Sequence, residues 1–232
     1  MINTILIQGA MLKEIQIFLN NMNNAECKNI NGYNFYIGNI NNKKVVISET
    51  KIGIINTSVA TILGLNLFKP DLVLNQGCAG GYGNIKTGDI VIASDVININ
   101  SYEYENEYKL KTFKTDADGG DIEGEMITSD GKYSDSIYNY LSKTYDKNVI
   151  KGILGSGDCW NKNIDKINYL NNKYNVLCED MESIATFRVC RDNNVKVLGV
   201  RIISNNEVLG LQYDSSVVYR LQELILEYIK NM

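Results

Sequence analysis

Short apolar runs alternate with segments of helical periodicity along all 232 residues of the chain, and this alternation restricts the fold more than any other feature. Residues 3–7, 72–76, 89–97, 151–154, 176–178 and 195–203 read as strands. Residues 13–23, 57–67, 133–145, 164–174, 181–193 and 215–231 read as helices, the last with Val218, Leu221, Leu224, Ile225 and Ile229 on an inward face. Residues 33–38 and 43–49 form a hairpin joined by the polar turn 39–42. Elements in this order predict an α/β fold, with a mixed sheet covered by helices on both faces. Without a repeat or a linker, the chain reads as a single domain over 1–232. The polar, Tyr-rich stretch 98–125 fits least well and reads as a long loop or edge excursion.

Composition removes several function classes. The chain has no histidine, which excludes a Ser-His-Asp triad, a Cys-His dyad and any His-ligated metal. With 23 basic and 27 acidic side chains the formal charge is −4, and no basic cluster offers a footprint for nucleic acid. No apolar run approaches the roughly 20 residues of a membrane span. The start, MINTILIQGAM, reads as strand and turn rather than as a signal peptide. Five cysteines without a C-x-x-C pair fit free thiols in a reducing cytoplasm. Asp116, Asp118 and Asp121 in DADGGD suggest a calcium loop, but the sixth position is Asp121 where the EF-hand pattern needs glycine, so a solvated loop is expected.

In open α/β sheets, ligands bind at the carboxyl ends of strands. Four segments end strands with small or polar residues. Gly9-Ala10-Met11-Leu12-Lys13-Glu14 puts a carboxylate in the first turn of a helix, where it either complements the helix dipole or faces a cleft to activate water. Asn75-Gln76-Gly77-Cys78-Ala79-Gly80-Gly81-Tyr82-Gly83 permits close approach of backbone to a ligand, without either phosphate-loop pattern. Gly155-Ser156-Gly157-Asp158-Cys159-Trp160-Asn161 carries the only tryptophan, as core packing or as a platform for an aromatic ligand. Glu179-Asp180-Met181-Glu182-Ser183 reads as an acidic helix start, with Asp180 a candidate N-cap and Glu182 a candidate acceptor from sugar hydroxyls.

Together with Lys51-Ile52-Gly53, Gly88-Asp89-Ile90-Val91 and Val200-Arg201-Ile202-Ile203-Ser204, these segments resemble, in order and spacing, the 5′-methylthioadenosine/S-adenosylhomocysteine nucleosidases of the nucleoside phosphorylase superfamily. The resemblance implies a twisted mixed sheet, a homodimer, a place in methionine salvage, and cofactor-free and metal-free hydrolysis of a small-molecule purine nucleoside. It implies that Glu14 orients and deprotonates water, assisted by Cys78 and Arg201. Asp180 falls within the motif whose Met181 and Glu182 would hold the ribose. Trp160 would stack on the purine, the backbone of Asn161 would meet the base edge, and Ala79 and Gly80 would line the base pocket. A phosphorylase would need a cation for phosphate; Asn75 and Gln76 stand where the bacterial hexameric phosphorylases carry Arg.

One position departs from the pattern. The family places Asp directly after the Ser that ends the last strand, where it protonates the purine N7. Here that residue is Asn205, followed by Asn206 and Glu207. An amide cannot deliver a proton, but it can donate to a carbonyl at C6. Three enzymatic readings follow: an adenine nucleosidase with weakened leaving-group activation, a 6-oxopurine nucleosidase of inosine or futalosine type, or a site in which Glu207 takes over. A nucleoside-binding protein with an impaired site is the remaining alternative.

Overall fold

Strand β1 (Thr4–Gly9) turns Ile5 and Ile7 to one face and Leu6 to the other, and all three are fully buried. The computed structural model describes residues 2–104, 108–112 and 122–232. The same double-sided burial runs through β4 (Lys43–Glu49), β5 (Leu72–Gly81), β6 (Ile90–Asn98) and β13 (Lys196–Asn205), as expected of strands covered by helices on both faces. The remaining strands of the main sheet are β2 (Asn23–Ile30), β3 (Tyr33–Ile40), β10 (Met126–Thr128), β11 (Val149–Ser156) and β12 (Val176–Asp180). The sheet order is β10-β6-β11-β12-β5-β1-β4-β3-β2, with β13 pairing both β5 and β6. Pairing is parallel between β1 and its neighbours β4 and β5, and between β13 and β5. It is antiparallel between β12 and β5 and between β13 and β6.

Helices α1 (Leu12–Asn20), α3 (Gly131–Thr144) and α6 (Val217–Lys230) bury Phe18, Ile137 and Leu221 against Ile5, Leu74 and Val200 on one face. Helices α2 (Ile54–Phe68) and α5 (Ser183–Asp192) bury Ala60 and Phe187 against Leu6, Val73 and Val197 on the other. A third cluster joins α4 (Ile164–Tyr174) to Tyr82, Ile97 and Val176. Each fully buried Leu, Ile or Phe contributes about 1.5–3 kcal/mol. The two main layers therefore hold the sheet's carboxyl rim rigidly. The α/β architecture with a central mixed sheet is thus the one expected from the alternation of elements.

Three local differences have physical causes. The polar segment Asn23–Ile30 is a strand, although it carries no apolar alternation and is exposed nearly throughout. It pairs with β3 through a turn in which Asn31 and Gly32 both have positive φ, 53° and 84°, the conformation that suits a two-residue hairpin. Of the two readings of stretch 98–125, a long loop or an edge excursion, the described residues fit the second: β7 (Tyr102–Tyr104), β8 (Tyr108–Thr112) and β9 (Ile122–Glu123) form a small separate sheet. Buried Leu110 ties it to the main body, its N–H donating to the Tyr174 hydroxyl at 3.1 Å. Asp116, Asp118 and Asp121 lie outside the described residues. Finally, Glu179 and Asp180 end β12 rather than opening a helix, because α5 begins only at Ser183.

Candidate active site

The carboxyl ends of β1, β5, β12 and β13 open onto one cleft, continuous with solvent. It is lined by Glu14, Cys78, Ala79, Gly80, Trp160, Asp180, Met181, Glu182 and Asn205, all named from the sequence. Glu179, Ser204, Ile52, Cys159 and Tyr213 line it as well. Arg201 and Asn161 stand behind the lining rather than in it.

Glu14 enters the cleft from the first turn of α1. Its Oε2 accepts from the N–H of Ala10 at 2.8 Å and of Met11 at 3.3 Å, and its Oε1 accepts from the N–H of Cys78 at 3.1 Å. Gln76 secures the turn by donating its side-chain amide to Glu14 O at 2.7 Å. Burial raises the carboxyl above its ordinary range, against the lowering effect of these backbone donors and of Arg201. A buried carboxylate held in one orientation with a raised pKa suits a general base. The neighbouring Cys78 thiol is pushed up to about 12 by burial, with the Glu14 charge acting in the same direction, so it stays protonated.

Across the cleft, Glu182 Oε1 accepts from the N–H of Gly53 at 3.1 Å, and Oε2 accepts from the N–H of Met181 at 3.3 Å. Burial raises this carboxyl strongly, Asp180 and Glu14 push the same way, and Arg201 opposes them. Asp180 is not the N-cap of α5, a position that Glu182 holds, but from the end of β12 it accepts from the N–H groups of Glu182 and Ser183 at 3.2 and 3.1 Å. Its other oxygen binds Arg201 Nε at 2.7 Å and the Ser183 hydroxyl at 2.5 Å. Arg201 is 2% exposed and donates further to Asn75 and, at 2.9 Å, to Ser183. The guanidinium thus acts on the two glutamates through its field, from behind the wall.

The third wall is aromatic. Trp160 is 53% exposed at the cleft mouth, not packed in the core, and its ring centroid lies 5.4 Å from that of Tyr213. The indole N–H donates to Glu207 Oε1 at 3.3 Å. The same oxygen is 3.5 Å from Asn205 Nδ2, while Asn205 Oδ1 accepts from the Ser204 hydroxyl at 3.0 Å.

Glu179 was not singled out as a site residue from the sequence, where it looked like one of several acids at a helix start. Its position at the end of β12 turns it into the cleft. Oε1 accepts from the backbone N–H of Asn161 at 2.8 Å, and Oε2 accepts from the Tyr82 hydroxyl at 2.6 Å and from the Asn161 side-chain amide. Burial raises its pKa, and these hydrogen bonds oppose the rise. Tyr213, on an irregular segment before α6, lines the cleft beside Trp160.

The sequence model of the phosphorylase superfamily matches residues 4–225. The 5′-methylthioadenosine/S-adenosylhomocysteine nucleosidase of Bacillus pumilus is 28% identical over 237 aligned positions, covering 96% of each chain. The crystal structure of the Helicobacter pylori nucleosidase of that name with butyl-thio-DADMe-Immucillin-A superposes with a TM-score of 0.86 at 19% identity, over 100% of this chain and 99% of that one. A Helicobacter pylori variant with Asp replaced by Asn, holding 5′-methylthioadenosine in its active site, gives 0.85 at 20% identity over 100% of both chains. The fold is therefore that of these nucleosidases. With the superfamily's own model running from the first strand into the last helix, the chain belongs to the phosphorylase superfamily.

Proposed function

We propose that the protein is a purine nucleoside N-glycosidase, most like the 5′-methylthioadenosine/S-adenosylhomocysteine nucleosidases, and that it cleaves the purine–ribose bond with water. The observation that carries this is the Glu14 carboxylate, fixed by three backbone N–H donors and facing the same cleft as Glu182 and Trp160. Glu14 takes a proton from water as the oxygen bonds to the anomeric carbon. The carbon–N9 bond breaks, its electron pair passes into the purine, and the base takes up a proton from solvent as it leaves. Glu182 accepts from the ribose hydroxyls, and Met181 packs against the sugar. Trp160 and Tyr213 flank the ring, Ala79 and Gly80 form the floor beneath it, Cys78 supplies the backbone donor to Glu14, and Asn205 faces the base. Arg201, paired with Asp180, tempers the charge of the two glutamates. Among the described residues no lysine or arginine lines the cleft, which favours water over phosphate as the nucleophile.

A homodimer is part of this reading: Ile52, Ile55 and Val59 are exposed in and just before α2, and Ile52 is also in the cleft wall. A cytoplasmic setting accords with five cysteines that are all unpaired. No described helix is long and apolar enough to cross a membrane.

The test is release of free base and free sugar from 5′-methylthio-nucleosides with and without phosphate, followed chromatographically. Turnover without phosphate, lowered about 10²–10⁴-fold in Glu14→Gln, is expected. A strict phosphate requirement with a sugar 1-phosphate product would sink the hydrolase reading.

A further inference from the structure

The geometry points to Glu179 as the residue that reads the base edge and sets the site for a 6-oxopurine, of hypoxanthine or guanine type, rather than adenine. This rests on the purine pocket of the reading above and names the base that the pocket takes.

Glu179 is 6% exposed, lines the cleft, and is surrounded by donors alone. The backbone N–H and side-chain amide of Asn161 and the Tyr82 hydroxyl all point hydrogens at it. Burial raises the Tyr82 pKa and keeps its proton in place. The carboxylate is therefore an acceptor. Each of its oxygens can take two hydrogen bonds, and Oε1 receives one within the protein, leaving a lone pair for a ligand.

Asn205 supplies the complementary group. Oδ1 accepts from the Ser204 hydroxyl at 3.0 Å, which leaves Nδ2 on the side of Glu207, 3.5 Å from its Oε1. At that distance the contact is at the outer limit of a hydrogen bond, and the amide retains a donor for the cleft. A Cβ built on Gly80 would lie 3.6 Å from both Asn205 Nδ2 and Glu179 Cγ. Donor and acceptor thus flank the same bare stretch of backbone, where a flat ring can rest.

A 6-oxopurine presents an acceptor, O6, beside a donor, N1–H. An amide N–H and a carboxylate match that order, and a 2-amino group would add a second donor toward the carboxylate. Adenine presents the reverse: an amino group beside the N1 lone pair. Its N1 would face a carboxylate, and its amino group an amide NH₂. The backbone N–H of Asn161, which could otherwise meet adenine N1, is taken by Glu179. A buried acceptor opposed to an acceptor leaves both without partners, and this is how a site rejects the wrong base.

The experiment measures free hypoxanthine and free adenine binding by calorimetry, alongside kcat/KM for 5′-methylthioinosine and 5′-methylthioadenosine without phosphate. In the unmodified protein, hypoxanthine is expected to bind at least about tenfold tighter than adenine. Glu179→Gln is expected to reduce that ratio about tenfold or more. Glu179→Asp, which retains the charge but withdraws it by one methylene, provides a second variant, and circular dichroism checks its fold. Equal or tighter adenine binding in the unmodified protein overturns the inference, as does an unchanged ratio in the folded variants. Cleavage with adenine preferred leaves the nucleosidase reading standing and this one fallen. Hypoxanthine preference without cleavage of either nucleoside does the reverse, and binding of neither base overturns this inference alone.

Discussion

Gly77 and Glu14 share one small space: a Cβ on Gly77 would stand 2.8 Å from Glu14 Oε1. The absent side chain leaves room for the carboxyl to reach the N–H of Cys78, the next residue on β5. Gly77→Ala must therefore push the base aside without touching substrate. A displacement near 1 Å is expected to lower kcat about 10²-fold. Steady-state kinetics check this, with near-native circular dichroism as the control. Unimpaired turnover would mean that Glu14 need not stand where it does.

Burial raises Glu14, Glu179 and Glu182 above the ordinary glutamate value of 4.5. Between that value and the raised ones, the folded chain binds more protons than the unfolded chain. Stability contributed by these groups is then greatest on the acid side and is lost as pH rises through the window. Glu182→Gln removes the costly charge. Its Tm is expected to exceed that of the unmodified protein above the window, by about 2–4 °C for each kcal/mol relieved, and the gap should close toward pH 4.5. Scanning calorimetry across pH checks the sign. Activity runs the other way, because Glu14 must be ionised to accept a proton. The acid limb of kcat/KM should therefore have its midpoint above 4.5.

The alternation of elements revealed the sheet because buried parallel strands and amphipathic helices write their burial into local pattern. β2 escaped because its packing is at an edge, where polar residues serve, and its signal lay in the Asn31-Gly32 turn instead. Glu14, Glu182 and Trp160 could be named from sequence because each follows a strand end within a recognisable string. Glu179 could not: one residue decides whether an acid belongs to a strand end or a helix start, and periodicity does not fix boundaries that finely. The Arg201–Asp180 pair joins residues on different strands, so its closeness is a property of topology.

Arg201 and Asp180 form an ion pair in which both side chains are at most 2% exposed. Removing one partner strands the other charge in the interior. Arg201→Met leaves Asp180 unpaired and strips donors from Asn75 and Ser183. The expected loss is about 3–5 kcal/mol in denaturant unfolding. The double variant Arg201→Met/Asp180→Leu should recover part of it, since an apolar pair leaves no buried charge behind. Equal losses in the single and double variants would show that the pair is not energetically coupled.

Asn205→Asp would place a carboxyl where the amide nitrogen now sits 3.5 Å from Glu207 Oε1. Two carboxyls that close cannot both ionise readily, so one pKa of the pair rises. The variant would then hold a proton within reach of the base, which the native amide cannot supply. Cleavage of 5′-methylthioadenosine is expected to increase at least about tenfold, at the low end of what a general acid contributes. Cleavage of 5′-methylthioinosine should fall, because an ionised carboxyl lacks the amide N–H that the native side chain offers to O6. Adding Glu179→Gln should enlarge the adenine gain, because an amide with N–H donors replaces the carboxylate acceptor that opposes adenine N1. Parallel kcat/KM measurements on the two nucleosides decide the matter. If neither value moves, Asn205 does not face the purine, and the base is read elsewhere in the cleft.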